Sequence, residues 1–246
     1  MRGLAKLTFM ESKLFLRDPM AVFFALAFPP LLLAILGSVP AFRVPSEDLG
    51  GQRVIDLYVP IVVGLVLAML ALSGLPTAMA SYREKGVLRR LSTTPVHPAR
   101  LLLAQLAMSM VVAVVVTALV VTLGAVAFDT AMPRQIPGFL AAFVLATGAL
   151  LAMGLLIAAV APSARAATGI GLILFYPLNF FAGLYFPREA MPEALRRIGD
   201  FTPLGAGVQA LQDAMAGAWP RPLHLAVMSA CIIVIGLAAV RLFLWE

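Results

Sequence analysis

The feature that most limits how this chain can fold is a series of six long apolar runs. None of them has an acidic or basic side chain in its central portion. About 20 helical residues, at about 1.5 Å each, cover the roughly 30 Å hydrocarbon core of a bilayer. We therefore expect six membrane-spanning helices, at about residues 20–39, 57–80, 101–127, 137–161, 166–186 and 223–244.

The composition agrees with this expectation. Hydrophobic residues make up 62% of the 246 residues and charged residues only 12%, whereas about a quarter of the residues in a soluble domain are charged. The predicted fold class is an all-α integral membrane protein. The net charge of +6 would suggest nucleic acid in a soluble chain, but here the basic residues lie beside apolar runs. Topology and anionic membrane lipids account for them, and we expect no nucleic-acid partner.

The distribution of charge predicts an orientation. Residues 1–19 are expected to form an interfacial amphipathic helix, with Lys6, Lys13 and Arg17 grouped on one side, and residues 20–246 one membrane domain. With both termini in the cytoplasm, 11 basic residues lie inside and 7 outside, as the positive-inside rule requires. Fifteen Arg against three Lys is typical of a high-GC bacterium, so the predicted location is a bacterial plasma (inner) membrane.

The chain lacks the residues that several classes of function require. No charged group lies in the middle of a span to carry a coupling ion, and no G-x-x-x-x-G-K-[ST] phosphate loop is present. Ser73 has no intramembrane base to activate it, so no catalytic residue is expected. His97, His224 and Cys231 do not form a metal-binding pattern. We expect no cofactor on this chain and no enzymatic activity.

The densest basic stretch lies between the second and third spans, at residues 81–105. It contains five basic residues and one acid, Glu84. Apolar residues at helical spacing predict a short helix that Pro95 and Pro98 terminate. A short charged helix should therefore lie across the cytoplasmic end of a helical hairpin.

This stretch resembles the cytoplasmic coupling loop of type 2 ABC exporter permeases, a family that includes daunorubicin-resistance permeases and polysaccharide exporters. One departure is Val87, where many relatives have Thr. In that family the loop docks on a separate ATPase subunit. The resemblance therefore assigns ATPase docking to the residues that match the loop motif, which are Arg83, Glu84, Gly86, Leu88, Arg90, Leu91, Thr94 and Pro95.

A second informative stretch, residues 187–222, is too long for a turn and too apolar for an ordinary loop. Its pattern predicts two short amphipathic helices on the outer face, although a surface loop would have a similar composition. The order of residues from Phe181 to Leu204 resembles the re-entrant outer helices of the same permease family. The positions that carry this second resemblance are Gly183, Pro187, Met191, Pro192 and Pro203.

The resemblance implies a transmembrane exporter subunit that pairs with a second permease chain, as a homodimer or heterodimer. Two copies of an ABC ATPase would bind below, with ATP and Mg²⁺ on those subunits. A hydrophobic or amphipathic cargo, such as a drug, lipid or lipid-linked glycan, would suit the apolar spans. Asn179 is the most polar residue at membrane depth; it is either an interhelical hydrogen-bonding residue or, with Tyr176 and Phe180, part of a substrate path or gate. The alternative function is a passive channel or a membrane scaffold.

Overall fold

The computed structural model describes residues 2–46, 51–87, 99–188 and 191–242. The described residues contain nine helices that determine the fold. We number them in chain order: α1 (Arg2–Leu16), α2 (Pro19–Ser38), α3 (Val54–Glu84), α4 (Ala99–Phe128), α5 (Ile136–Val160), α6 (Ala164–Ala182), α7 (Glu193–Asp200), α8 (Pro203–Ala216) and α9 (Pro222–Leu242).

Six of these helices, α2 to α6 and α9, are long and apolar enough to cross a membrane. The prediction of six spans is confirmed, with two differences at helix ends. Helix α3 extends beyond the expected 57–80 at both ends. Helix α6 stops at Ala182 instead of residue 186, because Gly183 has a φ of +95°. That left-handed conformation satisfies the last turn of a helix and ends it, and glycine adopts it without a steric penalty.

Helices α3 and α5 form the centre of the bundle. Most of their residues are buried, whereas α2, α6 and α9 bury only a minority of theirs. Many exposed side chains on α2, α6 and α9 are large and apolar; examples are Ile35, Ile173 and Val240. Such surfaces are compatible with lipid or with another apolar chain, but not with water.

Prolines distort two spans in the same way. A π-helical turn at Phe23–Ala27 precedes Pro29 and Pro30 in α2, and another at Leu70–Gly74 precedes Pro76 in α3. A proline has no N–H to donate, and its ring crowds the carbonyl four residues earlier. A wider turn makes room for that carbonyl. For Pro76 the carbonyl concerned is that of Leu72.

Two glycines let neighbouring helices approach this turn closely. A Cβ added to Gly154 of α5 would collide with the carbonyl oxygen of Ala71, and one added to Gly171 of α6 with that of Leu72. The helix backbones therefore approach closely at Gly154. At Gly148 the neighbour is the side chain of Ile232 in α9, with 3.1 Å between its Cδ1 atom and an added Cβ.

At the N-terminal end of α3, one arginine links this helix to the end of α4. The Arg53 guanidinium pairs with Asp56 through Nε and Nη2, both at 2.8 Å. It also donates to the carbonyls of Phe128, at 3.3 Å, and Asp129, at 2.8 Å. This fork satisfies carbonyls at the end of α4 while fixing the start of α3.

The two short helices predicted between the fifth and sixth spans correspond to α7 and α8. Helix α8 is buried along most of its length. Val208 of α8 lies against Gly64, ten residues or about 15 Å along α3. Gly207 lies against Ala146 of α5, where an added Cβ would come within 2.8 Å of its Cβ. The re-entrant placement of these helices in a membrane stays a prediction.

Candidate functional site

The site begins where α3 ends. Lys85 and Gly86 close the helix with backbone bonds to the carbonyls of Ser81 and Arg83, each at 3.0 Å. Gly86 has a φ of +66°, and within the described part of the chain nothing lies within 4 Å of a Cβ added to it. The sequence motif therefore contains a glycine, Gly86, that ends α3. The rest of the basic stretch 81–105 follows it and is called the basic segment below.

Two residues of the motif form hydrogen bonds with the turn between α5 and α6. Arg83 donates to the carbonyl of Ala161. The Oε1 atom of Glu84 accepts from the backbone N–H of Ala164 at 3.0 Å. Ser163 caps the same helix, its hydroxyl accepting from Ala166 N–H at 3.1 Å. A carboxylate beside the first turn of α6 satisfies a free donor and opposes the positive end of the helix dipole.

The remainder of the predicted docking motif lies outside the described residues. This applies to Leu88, Arg90, Leu91, Thr94 and Pro95. Arg83 and Glu84 are thus the motif residues whose side-chain contacts are known, and those contacts are within the chain. The prediction that the motif docks on an ATPase remains a prediction.

Comparison with known families identifies the family of this chain. The contact between the end of α3 and the α5–α6 turn is called the turn-to-turn contact below. The sequence model of the ABC-2 type transporter family matches residues 4–216. The chain belongs to this family. The ABC-2 match includes α1, five of the six spans and both short helices α7 and α8. No individual curated protein matches the chain. An ABC-2 membrane domain is a transmembrane transport subunit and is generally not catalytic.

The three residues of the proposed path do not share one environment. Asn179 of the ABC-2 subunit is 1% exposed, and its Nδ2 atom donates to the Phe175 carbonyl of its own helix at 2.9 Å. Tyr176 is 58% exposed, and Phe180 is intermediate. Asn179 therefore bonds within α6, and Tyr176 is the member of the set on the outer surface of the chain.

An ionic cluster that involves α7, α8 and α9 was not predicted from the sequence. Arg188 is buried and pairs with Asp200, which also lies 3.0 Å from Nε2 of His224. His224 is 1% exposed, and its Nδ1 atom is 4.0 Å from Asp213. The cluster joins the end of α6 to α7, α8 and α9. Spacing could not reveal it, because its members are spread over residues 188–224.

The motif positions near this cluster have structural roles. Gly183 ends α6, Met191 is buried, and Pro203 opens α8. Pro192 immediately precedes α7, and Pro187 is intermediate in exposure. Within the described ranges, no three His, Cys, Asp or Glu side chains are placed to hold a metal ion.

A second unanticipated contact joins α1 to the C-terminal end of α3. Glu11 is 6% exposed, and the Tyr82 hydroxyl donates to it at 2.8 Å. Burial raises the pKa of Glu11 above its usual value of 4.5, while the bond from Tyr82 opposes the rise. The apolar residues Met10 and Leu14 are instead exposed. Helix α1 thus turns an acid inward and apolar side chains outward, and its location in a membrane interface stays a prediction.

Proposed function

We propose that the chain is the transmembrane subunit of an ATP-driven exporter whose energy comes from a separate ABC ATPase. The main support is the pair of hydrogen bonds that Arg83 and Glu84 form with the turn at Ala161–Ala164. A force applied to the basic segment would act on α3, which leads into it, and on α6 through the Glu84 bond to Ala164. One segment can therefore move two spans.

The exposed face of α6 suits a role beside a cargo path. Tyr176 and Ile173 are 58% and 73% exposed. Tyr176 lies 12 residues, or about 18 Å, from Ala164, inside the apolar part of the span. A phenol in that position needs a hydrogen-bonding partner that lipid tails do not offer. A second permease chain or a passing amphipathic molecule would provide one.

The docking step can be tested with two matched pairs of arginines. Arg89→Ala with Arg90→Ala removes two charges from the basic segment. Arg196→Ala with Arg197→Ala removes two from α7 and is the control. Each tagged variant is purified from native membranes in mild detergent, and mass spectrometry identifies any co-purifying protein with a phosphate-loop motif.

We expect an ABC ATPase with the wild type and with the α7 pair, and its loss with the basic-segment pair. Retention of the ATPase by the basic-segment pair would contradict docking there. Loss with the α7 pair alone would place the ATPase on the other side and overturn the orientation. If the wild type retains no ATPase, the channel or scaffold alternative replaces the proposal.

Transmission can be separated from docking through Glu84. Glu84→Arg puts a positive charge beside the N-terminus of α6, where the helix dipole disfavours it. We expect the ATPase to bind this variant but ATP hydrolysis and export to be uncoupled. Glu193→Arg, on exposed α7, is the control. Normal export by Glu84→Arg in reconstituted vesicles would show that the turn-to-turn contact does not transmit motion.

A further inference from the structure

A cavity of about 570 Å³ lies beneath α1, between that helix and the cytoplasmic halves of α2, α3 and α4. This is within the usual size range of small-molecule sites, roughly 300–1,000 Å³. It is separate from Tyr176 and from the turn at Ala161–Ala164, none of which line it. The functional features described above therefore do not account for it.

The charge in this cavity has one sign. Of the described side chains that line it, Glu11 and Asp18 are acidic and none is basic. Asp18 caps α2 at the mouth, accepting from the N–H groups of Met20 and Ala21 at 3.1 Å. Among the described side chains, Glu11 has no basic partner within ion-pair distance. Two carboxylates beside low-dielectric walls attract a cation.

A second buried acceptor also faces the cavity. Gln105 of α4 is 4% exposed, and within the described part of the chain nothing donates to its Oε1 atom. A buried acceptor without a donor destabilises the folded chain. Glu11, at 6% exposed, is buried to a similar degree. The cavity therefore offers two buried acceptors that a ligand with N–H donors could satisfy.

The remaining walls define the rest of the ligand. They are predominantly apolar, and the large residues among them include Leu14, Phe15, Met20, Phe24, Met69 and Met108. Leu14 and Met20 are 53% and 65% exposed, so the cavity reaches the apolar surface of the chain. A small inorganic cation would need several oxygen ligands in place of these walls. An apolar body attached to a cationic donor fits both parts.

We propose that this cavity binds an amphiphile that carries a protonated amine, with Glu11 and Gln105 as its hydrogen-bond acceptors. The amine donates to both oxygens, and the apolar portion lies along α2 towards Met69. Tyr82, which also lines the cavity, donates to the Glu11 carboxylate and holds it in place. The amine could belong to a phosphatidylethanolamine headgroup or to a soluble cationic amphiphile.

The test uses the complete chain in phosphatidylglycerol nanodiscs and needs no ATPase, so its failure is distinct from failure of the proposed function. The probes are a dansyl-labelled dodecylamine and its N-acetylated analogue, which has the same apolar body without the charge. Binding is followed by dansyl fluorescence. Glu11→Gln keeps the size of the side chain and an acceptor for Tyr82, and Glu193→Gln on α7 is the control.

We expect Glu11→Gln to weaken amine binding about tenfold or more, because a charge-assisted hydrogen bond becomes a neutral one. Gln105→Met should weaken it several-fold. The acetylated probe should bind more weakly to the wild type and equally to all variants, which also verifies that the cavity is intact. Equal binding of both probes to the wild type, or unchanged amine binding by Glu11→Gln, would overturn the proposal.

The source of the amine is resolved by changing the nanodisc lipid. If replacing part of the phosphatidylglycerol with phosphatidylethanolamine reduces binding of the amine probe to the wild type, the headgroup occupies the site. If the probe binds equally well in both lipids, the site takes an amphiphile other than this lipid. Both results support an amine site, and each identifies one source.

Discussion

The contact between α6 and the distorted turn of α3 can be tested with two glycines on one helix. At Gly171 an added Cβ would collide with the Leu72 carbonyl oxygen and lie 3.1 Å from its carbon, both backbone atoms that cannot rotate away. At Gly169, two residues earlier, nothing lies within 4 Å of the added atom. Gly171→Ala and Gly169→Ala therefore add the same methyl group to opposite environments.

The magnitude follows from two terms. Each substitution gains up to about 1 kcal/mol of helix propensity, because alanine is the better helix former. Only Gly171→Ala also overpacks a tight contact, which typically costs about 1–3 kcal/mol. The difference between the variants removes the shared gain and isolates the packing cost. At about 2–4 °C per kcal/mol for a chain of this size, Gly171→Ala should melt roughly 2–12 °C below Gly169→Ala.

The assay is thermal unfolding in one detergent, followed by fluorescence-detected size-exclusion chromatography. Gly154→Ala gives a second reading of the same turn from α5, where the added methyl would collide with the Ala71 carbonyl oxygen. If Gly171→Ala were as stable as Gly169→Ala, the close approach of α6 to the turn would be refuted. If Gly154→Ala alone were destabilised, the contact would belong to α5 and not α6.

Three further perturbations test other contacts, each read as a melting temperature in detergent. Asp200→Asn should destabilise the chain by roughly 3 kcal/mol, because it leaves the buried Arg188 guanidinium without its counter-ion; Glu193→Gln, which breaks an exposed pair, should cost less than about 1 kcal/mol. Arg53→Lys should cost about 1–2 kcal/mol, since one ammonium cannot replace the fork to Asp56, Phe128 and Asp129, while exposed Arg134→Lys should have little effect. The Glu11 pKa is raised in the folded chain, so the folded state binds the proton more tightly than the unfolded state; stability relative to Glu11→Gln should fall as pH rises from 4.5 through the folded pKa. A stability difference that stays flat over this range would show that Glu11 is not buried as described.

The spans could be predicted from the sequence because hydrocarbon thickness imposes a simple length rule on apolar runs. A local signal for the end of α6 exists at Gly183. The run of apolar residues to Phe186 concealed it, so the predicted span ended at residue 186. The extent of α3 was underestimated because its last turn is polar, and its length depends on contacts with a different part of the chain. Glu84 is an example, since its partner Ala164 is 80 residues away.

The candidate site was predictable only in part. Motif order identified Arg83 and Glu84 without revealing their contacts, which depend on the packing of α3 against α6. The burial of Glu11 could not be predicted from the sequence, since one acid on an amphipathic helix usually faces water. Its burial arises from tertiary packing against Tyr82 and the cavity, and a helical wheel has no information about either. Asp200 and His224 meet only after α7 and α9 have docked.

The carbonyls of Ala71 and Leu72, set into the gaps at Gly154 and Gly171, have a mechanical consequence. They oppose sliding of α3 along its neighbours, so a tilt of α3 would be centred on that point. Leu72 lies 12 residues from Glu84 and 18 from Val54, or about 18 and 27 Å along the helix. Tilting about this pivot moves Val54 about one and a half times as far as Glu84, in the opposite direction. On this geometry, a small displacement of the Glu84 end would become a larger displacement of the Val54 end.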